Sequence, residues 1–135
     1  MNTLLLDSSV VLAAFDQGDR HHEEARALLG DNGVTLATLD LARYEVANVA
    51  ICGWKAPEAV STLLGALEQI GGDGGVLPST ASLLARAAEV AELHGISVYD
   101  AAYVAAAADG DRRLVSCDAR DLVSKGLAVT PGAAA

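Results

Sequence analysis

Basic side chains are scarce in this sequence. Nine lysines and arginines stand against 18 aspartates and glutamates in 135 residues, which gives a formal net charge of −9 at pH 7. A surface with this charge repels a polyanion such as RNA. A divalent cation held by several clustered carboxylates would reverse the sign locally, because a bound cation is the largest charge in its surroundings. The low basic content therefore argues against a broad nucleic-acid-binding surface and leaves room for a metal-dependent site.

Cysteines and long hydrophobic runs are also few. Cys52 and Cys117 have neither a CxxC spacing nor a Cys/His ligand spacing, which argues against a zinc site and a disulfide framework; we predict that both are small buried hydrophobic residues. The amino-terminal apolar run lacks the basic segment of a signal peptide and is interrupted by Asp7. No apolar stretch approaches the ~18 residues that a membrane-spanning helix needs. We therefore expect a soluble cytoplasmic protein.

The sequence does contain enough apolar residues for one compact domain, since 52% of the residues are hydrophobic and the length fits a single domain at 1–135. Short apolar runs typical of buried strands alternate with segments typical of helices. This alternation predicts an α/β fold in three layers, with a short, mostly parallel central sheet flanked by helices. Strands are predicted at 3–6, 34–37, 76–78, 113–116 and 127–129, a strong helix at 39–52, a flexible loop at 71–75 and a loose tail at 131–135.

Three aspartates are predicted to meet at one edge of this sheet. Asp7 directly follows the first strand, and Asp118 follows the strand at 113–116. The carboxyl ends of parallel strands lie at the same edge, where ligands bind. Asp100 falls in the first turn of a helix that is apolar all round its circumference, so its carboxylate must meet a polar partner.

Glu45 is a fourth acid with an unusual setting. Its helical neighbours Leu41, Ala42 and Val49 place it on an apolar stripe, with no lysine or arginine three or four residues away. An unpaired buried carboxylate costs several kcal/mol. A metal ion or a raised pKa is the expected remedy.

Each aspartate also has a structural interpretation. Asp7 and Asp118 could cap the helices that follow them, and Ser97 with Asp100 matches a capping box. Capping is compatible with metal binding, because a helix N-terminus at the sheet edge faces the same site. Asp121, three residues after Asp118, is either a further metal ligand or a first-turn carboxylate that favours the helix dipole.

The acids together predict a hard-cation site. Convergent carboxylates cannot all ionise at close range unless a positive charge lies between them. Ligand sets made only of oxygen select cations such as Mg²⁺ or Mn²⁺. Such ions orient a phosphodiester, help to ionise a water and stabilise the leaving oxygen. The implied reaction is hydrolytic phosphoryl transfer.

The segments LLLDSSVVLAAF, RYEVANV, SVYDAAYVAAA and LVSCDARDL resemble the four acidic motifs of the PIN-domain nucleases, and the likeness extends from Thr3 to Thr130. A chain of this size most resembles the VapC toxins of bacterial toxin–antitoxin pairs. The resemblance implies a PIN-like fold and a ribonuclease that uses Mg²⁺ or Mn²⁺. The implied partners are an RNA substrate and a small VapB-like antitoxin, and we also expect a homodimer. The implied catalytic and metal-binding acids are Asp7, Glu45, Asp100 and Asp118; Asp121 is a further candidate metal ligand because of its spacing from Asp118.

Two further residues fit the motifs. Ser9 falls where the family has a small hydroxyl residue near the first acid, and Asn48 lies one helical turn after Glu45. Their alternative interpretation is a hydroxyl facing its own helix and a solvated amide. Tyr44, Tyr99 and Tyr103 flank the motif acids on apolar helices, which is more typical of core residues than of base-stacking groups.

Two rival functions are weighed against the nuclease. An aspartyl-phosphate protein, either a receiver domain or a haloacid-dehalogenase-like phosphatase, would need a lysine after a late strand and a second aspartate in a DxD motif. Here Ser9 occupies that position, and RLVSCD supplies no lysine. The other rival is a PIN-like module that only binds protein. The presence of all four motif acids counts against this rival.

Overall fold

The fold is an α/β/α sandwich built on four parallel strands. A computed structural model describes residues 2–70 and 75–134. The sheet has the order β3-β2-β1-β4, and every pairing is parallel. The strands are β1 Asn2–Leu6, β2 Val34–Leu39, β3 Val76–Leu77 and β4 Arg113–Val115. The helices are α1 Ser8–Phe15, α2 His22–Leu29, α3 Leu41–Asn48, α4 Ala59–Gln69, α5 Ala81–His94, α6 Val98–Asp109 and α7 Pro131–Ala134, with π-helical turns at Val49–Gly53 and Ala119–Val123.

The two faces of the sheet carry separate cores, because successive strand side chains point to opposite sides. Leu4 and Leu6 pack into a core with residues of α1, α2, α3 and α4. Leu5, between them, packs on the other face into a core with residues of α5 and α6. This arrangement confirms the predicted three layers and parallel sheet. No helix in the described ranges is long and apolar enough to cross a membrane.

The last predicted strand, at 127–129, is wrong because this segment is shorter than a strand. Residues 127–129 contribute a single parallel bridge, between Val129 and Val115. Ser116 N donates to Val129 O at 2.9 Å, and Val129 N donates to Leu114 O at 3.0 Å. The pairing cannot lengthen, because Gly126 turns the chain just before it with φ of 74° and α7 begins just after it at Pro131.

The predicted loose tail is also wrong. Residues 131–134 form α7, which packs against α2, and both Pro131 and Ala134 are buried. Proline opens a helix at no cost, since the first helical N–H has no partner within the helix. Small residues allow close packing here: a side chain at Gly132 would lie 3.3 Å from Glu24.

Two other expectations need correction or completion. Cys52 is exposed, and Cys117 is only half-buried, so neither is the fully buried residue that was predicted. The helix predicted at 39–52 begins at Leu41 and changes to a π-helical turn after Asn48. The loop predicted at 71–75 lies, apart from Gly75, outside the described residues.

Candidate active site

The carboxyl ends of β1 and β4 meet the beginning of α6 at one edge of the sheet. Asp7 is the first residue after β1, and its N–H donates to Val115 O of the neighbouring strand at 3.1 Å. Asp118 follows β4 after two residues and precedes a π-helical turn. Asp100 stands in the first turn of α6. The topology therefore brings the three aspartates to the edge where the sequence predicted them.

Asp7 is a buried carboxylate held by a serine. Only 4% of Asp7 is exposed. Its Oδ1 accepts from Ser9 N at 3.0 Å, which caps α1, and also accepts a short hydrogen bond from Ser9 Oγ. Burial raises the pKa of Asp7 to about 6; the hydroxyls of Ser116 and Ser9 oppose the rise, and the charges of Asp100 and Glu45 add to it. Asp7 is therefore still mostly ionised at neutral pH, but its burial makes the charged form costly to the fold, and a bound cation would relieve that cost.

Asp100, Asp118 and Asp121 form a compact cluster, here called the aspartate cluster. One carboxylate oxygen from each residue lies within 4.8 Å of the others, and all three side chains are half-buried. Burial raises the pKa of Asp100, and the charges of Asp118, Asp121 and Glu45 raise it further. The three carboxylates thus repel one another where no positive charge stands between them.

Helix capping fixes part of this cluster. Asp118 Oδ1 accepts from Asp121 N at 2.9 Å, and Ser97 Oγ accepts from Asp100 N at 3.1 Å. The same residues therefore take part in helix capping and in the aspartate cluster, because a helix N-terminus at the sheet edge faces the site. Asp121 belongs to the cluster by its geometry, although the sequence analysis assigned it a lesser role than Glu45.

Glu45 stands beside the cluster and is anchored by a tyrosine. The Tyr103 hydroxyl donates to Glu45 Oε1 at 2.7 Å. Glu45 is half-buried, and its charge contributes to the raised pKa of both Asp7 and Asp100. It is therefore near enough to both to act on the same site, but it is not one of the three residues whose oxygens meet within 4.8 Å.

Ser116, a hydroxyl residue that the sequence analysis did not single out, completes the site together with the predicted Ser9. Ser116 is fully buried; its Oγ accepts from Asp118 N at 2.9 Å and lies 3.4 Å from Ser9 Oγ. Ser9 Oγ in turn accepts from Cys117 N at 2.9 Å. Ser9 and Ser116 thus connect the Asp7 carboxylate to the loop that carries Asp118. The only sequence signal for Ser116 was a polar residue at the end of an apolar strand.

The predicted auxiliary residues separate in the structure. Ser9 contacts Asp7 directly. Asn48 is exposed at the end of α3, where its amide oxygen accepts from Cys52 Sγ at 3.4 Å. None of the hydrogen bonds found in the described part of the chain joins Asn48 to an acid, so its predicted role has no geometric support here.

The donor chemistry of the site fits a hard divalent cation. All the clustered donors are carboxylate oxygens, the ligand type that Mg²⁺ and Mn²⁺ prefer. Arg120 forms an ion pair with the cluster, with its Nε 3.4 Å from Asp121 Oδ1, but its side chain is 92% exposed. Such an exposed pair contributes little. Among residues 2–70 and 75–134 the other ion pairs join Arg43 to Glu68 and Arg86 to Asp109, away from the cluster.

The tyrosines correct another expectation. Tyr103 is a core residue, 1% exposed, but Tyr44 and Tyr99 are 79% and 64% exposed. Tyr44 and Tyr99 line a groove of about 610 Å³, here called the apolar groove. Its charged lining residue is Asp40, which accepts from Ser79 N and Oγ at 3.2 and 2.5 Å. The other lining residues are Leu41, Ser79, Leu84, Val98 and Ala102.

Comparison with known proteins gives consistent matches over nearly the whole chain. Residues 4–125 match the PIN domain family. Ribonuclease VapC3 of Pyrobaculum aerophilum is 37% identical over 133 residues, which cover 95% of this chain and 98% of that protein. The fold matches VapC20 of Mycobacterium tuberculosis, a toxin that cleaves the sarcin-ricin loop, with a TM-score of 0.73, 19% identity and coverage of 91% and 95% of the two chains. It also matches a chain of a toxin–antitoxin complex from Klebsiella pneumoniae, with a TM-score of 0.68, 18% identity and coverage of 95% and 97%.

Proposed function

Because this chain belongs to the PIN-domain family, we propose that it is a metal-dependent endoribonuclease and the toxin of a toxin–antitoxin pair. The observation that carries the proposal is the aspartate cluster, three carboxylates that converge within 4.8 Å at the sheet edge with Asp7 and Glu45 beside them. A relative named as a ribonuclease matches over 95% of the chain, which supports RNA as the substrate.

The position of each acid in the site suggests its role. Asp100, Asp118 and Asp121 would hold the cation, and Asp7 and Glu45 complete the negative charge around it. When bound, Mg²⁺ or Mn²⁺ supplies charge stabilisation for the phosphate and lowers the pKa of a water. Ser9 and Ser116 hold Asp7 and the Asp118 loop in register. In the hydrolysis, a water would lose a proton as its oxygen bonds to phosphorus, while the bond to the leaving ribose oxygen breaks and that oxygen takes up a proton.

The rival functions have less support. Membership of the PIN-domain family argues against an aspartyl-phosphate protein, that is, a receiver domain or a haloacid-dehalogenase-like phosphatase. A module that only binds protein would gain nothing from clustered acids, because burial and mutual repulsion raise the pKa of Asp100 and weaken the metal-free fold.

The function is tested by cleavage of total RNA. We expect the purified chain to cut RNA in Mg²⁺ or Mn²⁺ and to stop when EDTA is added, because the phosphate cannot approach an uncompensated acidic site. Cut sites mapped by sequencing would identify the target. Cleavage that persists in EDTA would contradict the metal mechanism, and no cleavage in any metal would favour the protein-binding alternative.

The toxin role has its own readout within the same test. The fold shared with a chain of a toxin–antitoxin complex supports a small antitoxin as partner. Expression of the chain should arrest bacterial growth, and co-expression of the small protein encoded beside it should relieve the arrest. Unimpaired growth during expression of catalytically active protein would contradict the toxin role.

We also propose that the toxin is a homodimer that buries the apolar groove. The groove and the protruding rings of Tyr44 and Tyr99 lie on one surface, which is what a two-fold contact between identical patches requires. Two chains of charge −9 repel each other, so their interface must be low in free charge. The groove has one charged residue in its lining, Asp40, whose carboxylate can keep its two hydrogen bonds from Ser79 in the interface.

A matched pair of substitutions on α5 tests this interface. Leu84 is 41% exposed in the apolar groove, and Leu93 is 78% exposed on the same helix outside the groove lining. Leu84→Glu should convert the dimer to a monomer in light scattering after gel filtration, because a charge buried in an apolar interface is costly. Leu93→Glu should leave the dimer intact. A dimer that tolerates Leu84→Glu but not Leu93→Glu would place the interface elsewhere.

A further inference from the structure

Tyr103 is a buried residue whose hydroxyl donates a hydrogen bond to Glu45, one of the acids of the site. Its side chain is 1% exposed and packs in the core between the sheet, α5 and α6. Its hydroxyl donates to Glu45 Oε1 at 2.7 Å, across 58 residues of sequence. A tyrosine ring fixed in a close-packed core cannot follow a moving partner. The tyrosine therefore sets the position of the glutamate rather than the reverse.

Glu45 needs such an anchor. It lies on α3, whereas the aspartates lie after β1, on α6 and after β4, so its side chain has to be oriented by a contact between α3 and another element. A glutamate has three rotatable bonds, and the charges of Asp7 and Asp100 repel its carboxylate. Without the hydroxyl, the carboxylate would turn away from the other acids toward solvent. With it, one oxygen is held and the other remains available to the site.

We propose that Tyr103 is a positioning residue of the nuclease, which holds Glu45 in the orientation that metal binding and catalysis require. The inference rests on the proposed function and adds a residue outside the acidic set. A donor to a ligand carboxylate fixes its geometry, and loss of such outer partners costs about 10–100-fold in metal affinity or activity. A hydrogen bond to an ionised acceptor is also stronger than one between neutral groups.

The test is Tyr103→Phe, which keeps the ring and removes only the hydroxyl. We expect kcat for RNA cleavage to fall about 10-fold or more, while KM for RNA stays within about 2-fold. A second readout does not depend on activity. In a MnCl₂ titration followed by thermal unfolding, the midpoint of the stabilisation should move to about 3–10-fold higher Mn²⁺.

A matched control separates positioning from packing. Thr38 is fully buried, and its Oγ1 donates to Leu6 O at 2.8 Å, a backbone carbonyl rather than an acid. Thr38→Val removes a buried hydroxyl of similar status and should lower stability without moving the Mn²⁺ midpoint. In a Glu45→Gln background, Tyr103→Phe should change kcat by less than about 2-fold, because its effect passes through Glu45.

The outcomes separate this inference from the function on which it rests. An active wild type whose kcat and Mn²⁺ midpoint are unchanged by Tyr103→Phe would overturn the positioning role alone. Equal Mn²⁺ shifts in Tyr103→Phe and Thr38→Val would also overturn it, since packing would then explain both. A wild type that neither cleaves RNA nor gains stability from Mn²⁺ would overturn the positioning role and the proposed function together.

Discussion

Asp7→Asn should abolish RNA cleavage and at the same time stabilise the metal-free protein. Asparagine keeps the shape of the side chain, and its Oδ1 can still accept from Ser9 N, so α1 keeps its cap. The variant loses the negative charge that the cation needs, and we expect cleavage to fall at least about 100-fold. Loss of function with retained or increased stability is the mark of a residue selected for its charge.

The gain in stability should depend on pH. Burial raises the pKa of Asp7 from the ordinary 3.8 to about 6, which corresponds to about 3 kcal/mol against the charged folded state. The native state binds this proton more tightly than the unfolded chain does, so wild-type stability falls as pH rises from about 4 to about 6 and the penalty is complete above that. Asparagine removes the penalty but still buries a polar group, so we expect a net gain of about 1–2 kcal/mol at pH 8 and none at pH 4.

Urea denaturation in EDTA at several pH values measures this prediction. Asp31→Asn is a matched control, because Asp31 is exposed and also accepts a hydrogen bond from a backbone N–H, that of Gly33 at 2.8 Å. The control should show no comparable gain between pH 4 and pH 8. If Asp7→Asn lowers stability at every pH, Asp7 serves mainly as a cap. If the variant still cleaves RNA at the wild-type rate, the first acid is misassigned.

The sheet and the aspartates were predictable because local signals determined them. Short apolar runs predict buried strands whatever their partners, and a residue that directly follows a parallel strand must lie at the ligand-binding edge. Asp7 and Asp118 were located in this way. Asp100 followed from a charge in the first turn of a helix whose other positions are apolar, and burial does raise its pKa.

The hydroxyl partners were less predictable, because the tertiary fold chooses them. Glu45 was expected to need a metal or a raised pKa, since no cation stands nearby on its helix. The structure gives it the hydroxyl of Tyr103, which helical spacing on α3 cannot reveal. In the sequence, Ser116 is only the polar end of an apolar strand. Its position beside Ser9 results from the pairing of β4 with β1 in the folded protein.

Surface exposure was hardest to predict along α6 and at the chain end. The sequence of α6 is apolar all round, but Val98 and Tyr99 in its first turn are 44% and 64% exposed. An apolar residue without a neighbour in its own chain is indistinguishable in sequence from a core residue. For α7 the error was the opposite, because residues predicted to form a loose tail are a packed helix. Its small residues allow close packing against α2, but small residues are also typical of flexible tails.

Asp118→Asn and Asp121→Asn should separate the two acids that stand together after β4. Both carboxylates reach the aspartate cluster, but their surroundings differ. Asp118 Oδ1 caps the π-helical turn by accepting from Asp121 N, and Asp118 N donates to Ser116 Oγ, so this residue is fixed at both ends. The Asp121 side chain is 35% exposed, and its ion-pair partner among residues 2–70 and 75–134 is the exposed Arg120. The fixed carboxylate should contribute more to catalysis than the loosely held one.

The difference should appear in a metal titration of RNA cleavage. Asp121→Asn should need about 10-fold more Mg²⁺, equivalent to about 1.4 kcal/mol of binding free energy, and then approach the wild-type maximal rate. Asp118→Asn should remain at least about 100-fold below wild type at every Mg²⁺ concentration, since the defect lies in the geometry of the charged site as well as in affinity. Asp111→Asn changes the same charge outside the cluster and should match wild type in both respects. An inactive Asp121→Asn at saturating Mg²⁺, together with an active Asp118→Asn, would move the fourth catalytic acid one helical turn along the chain, because the dominant carboxylate would then be that of Asp121 and Asp118 would serve only to cap the Asp121 backbone N–H.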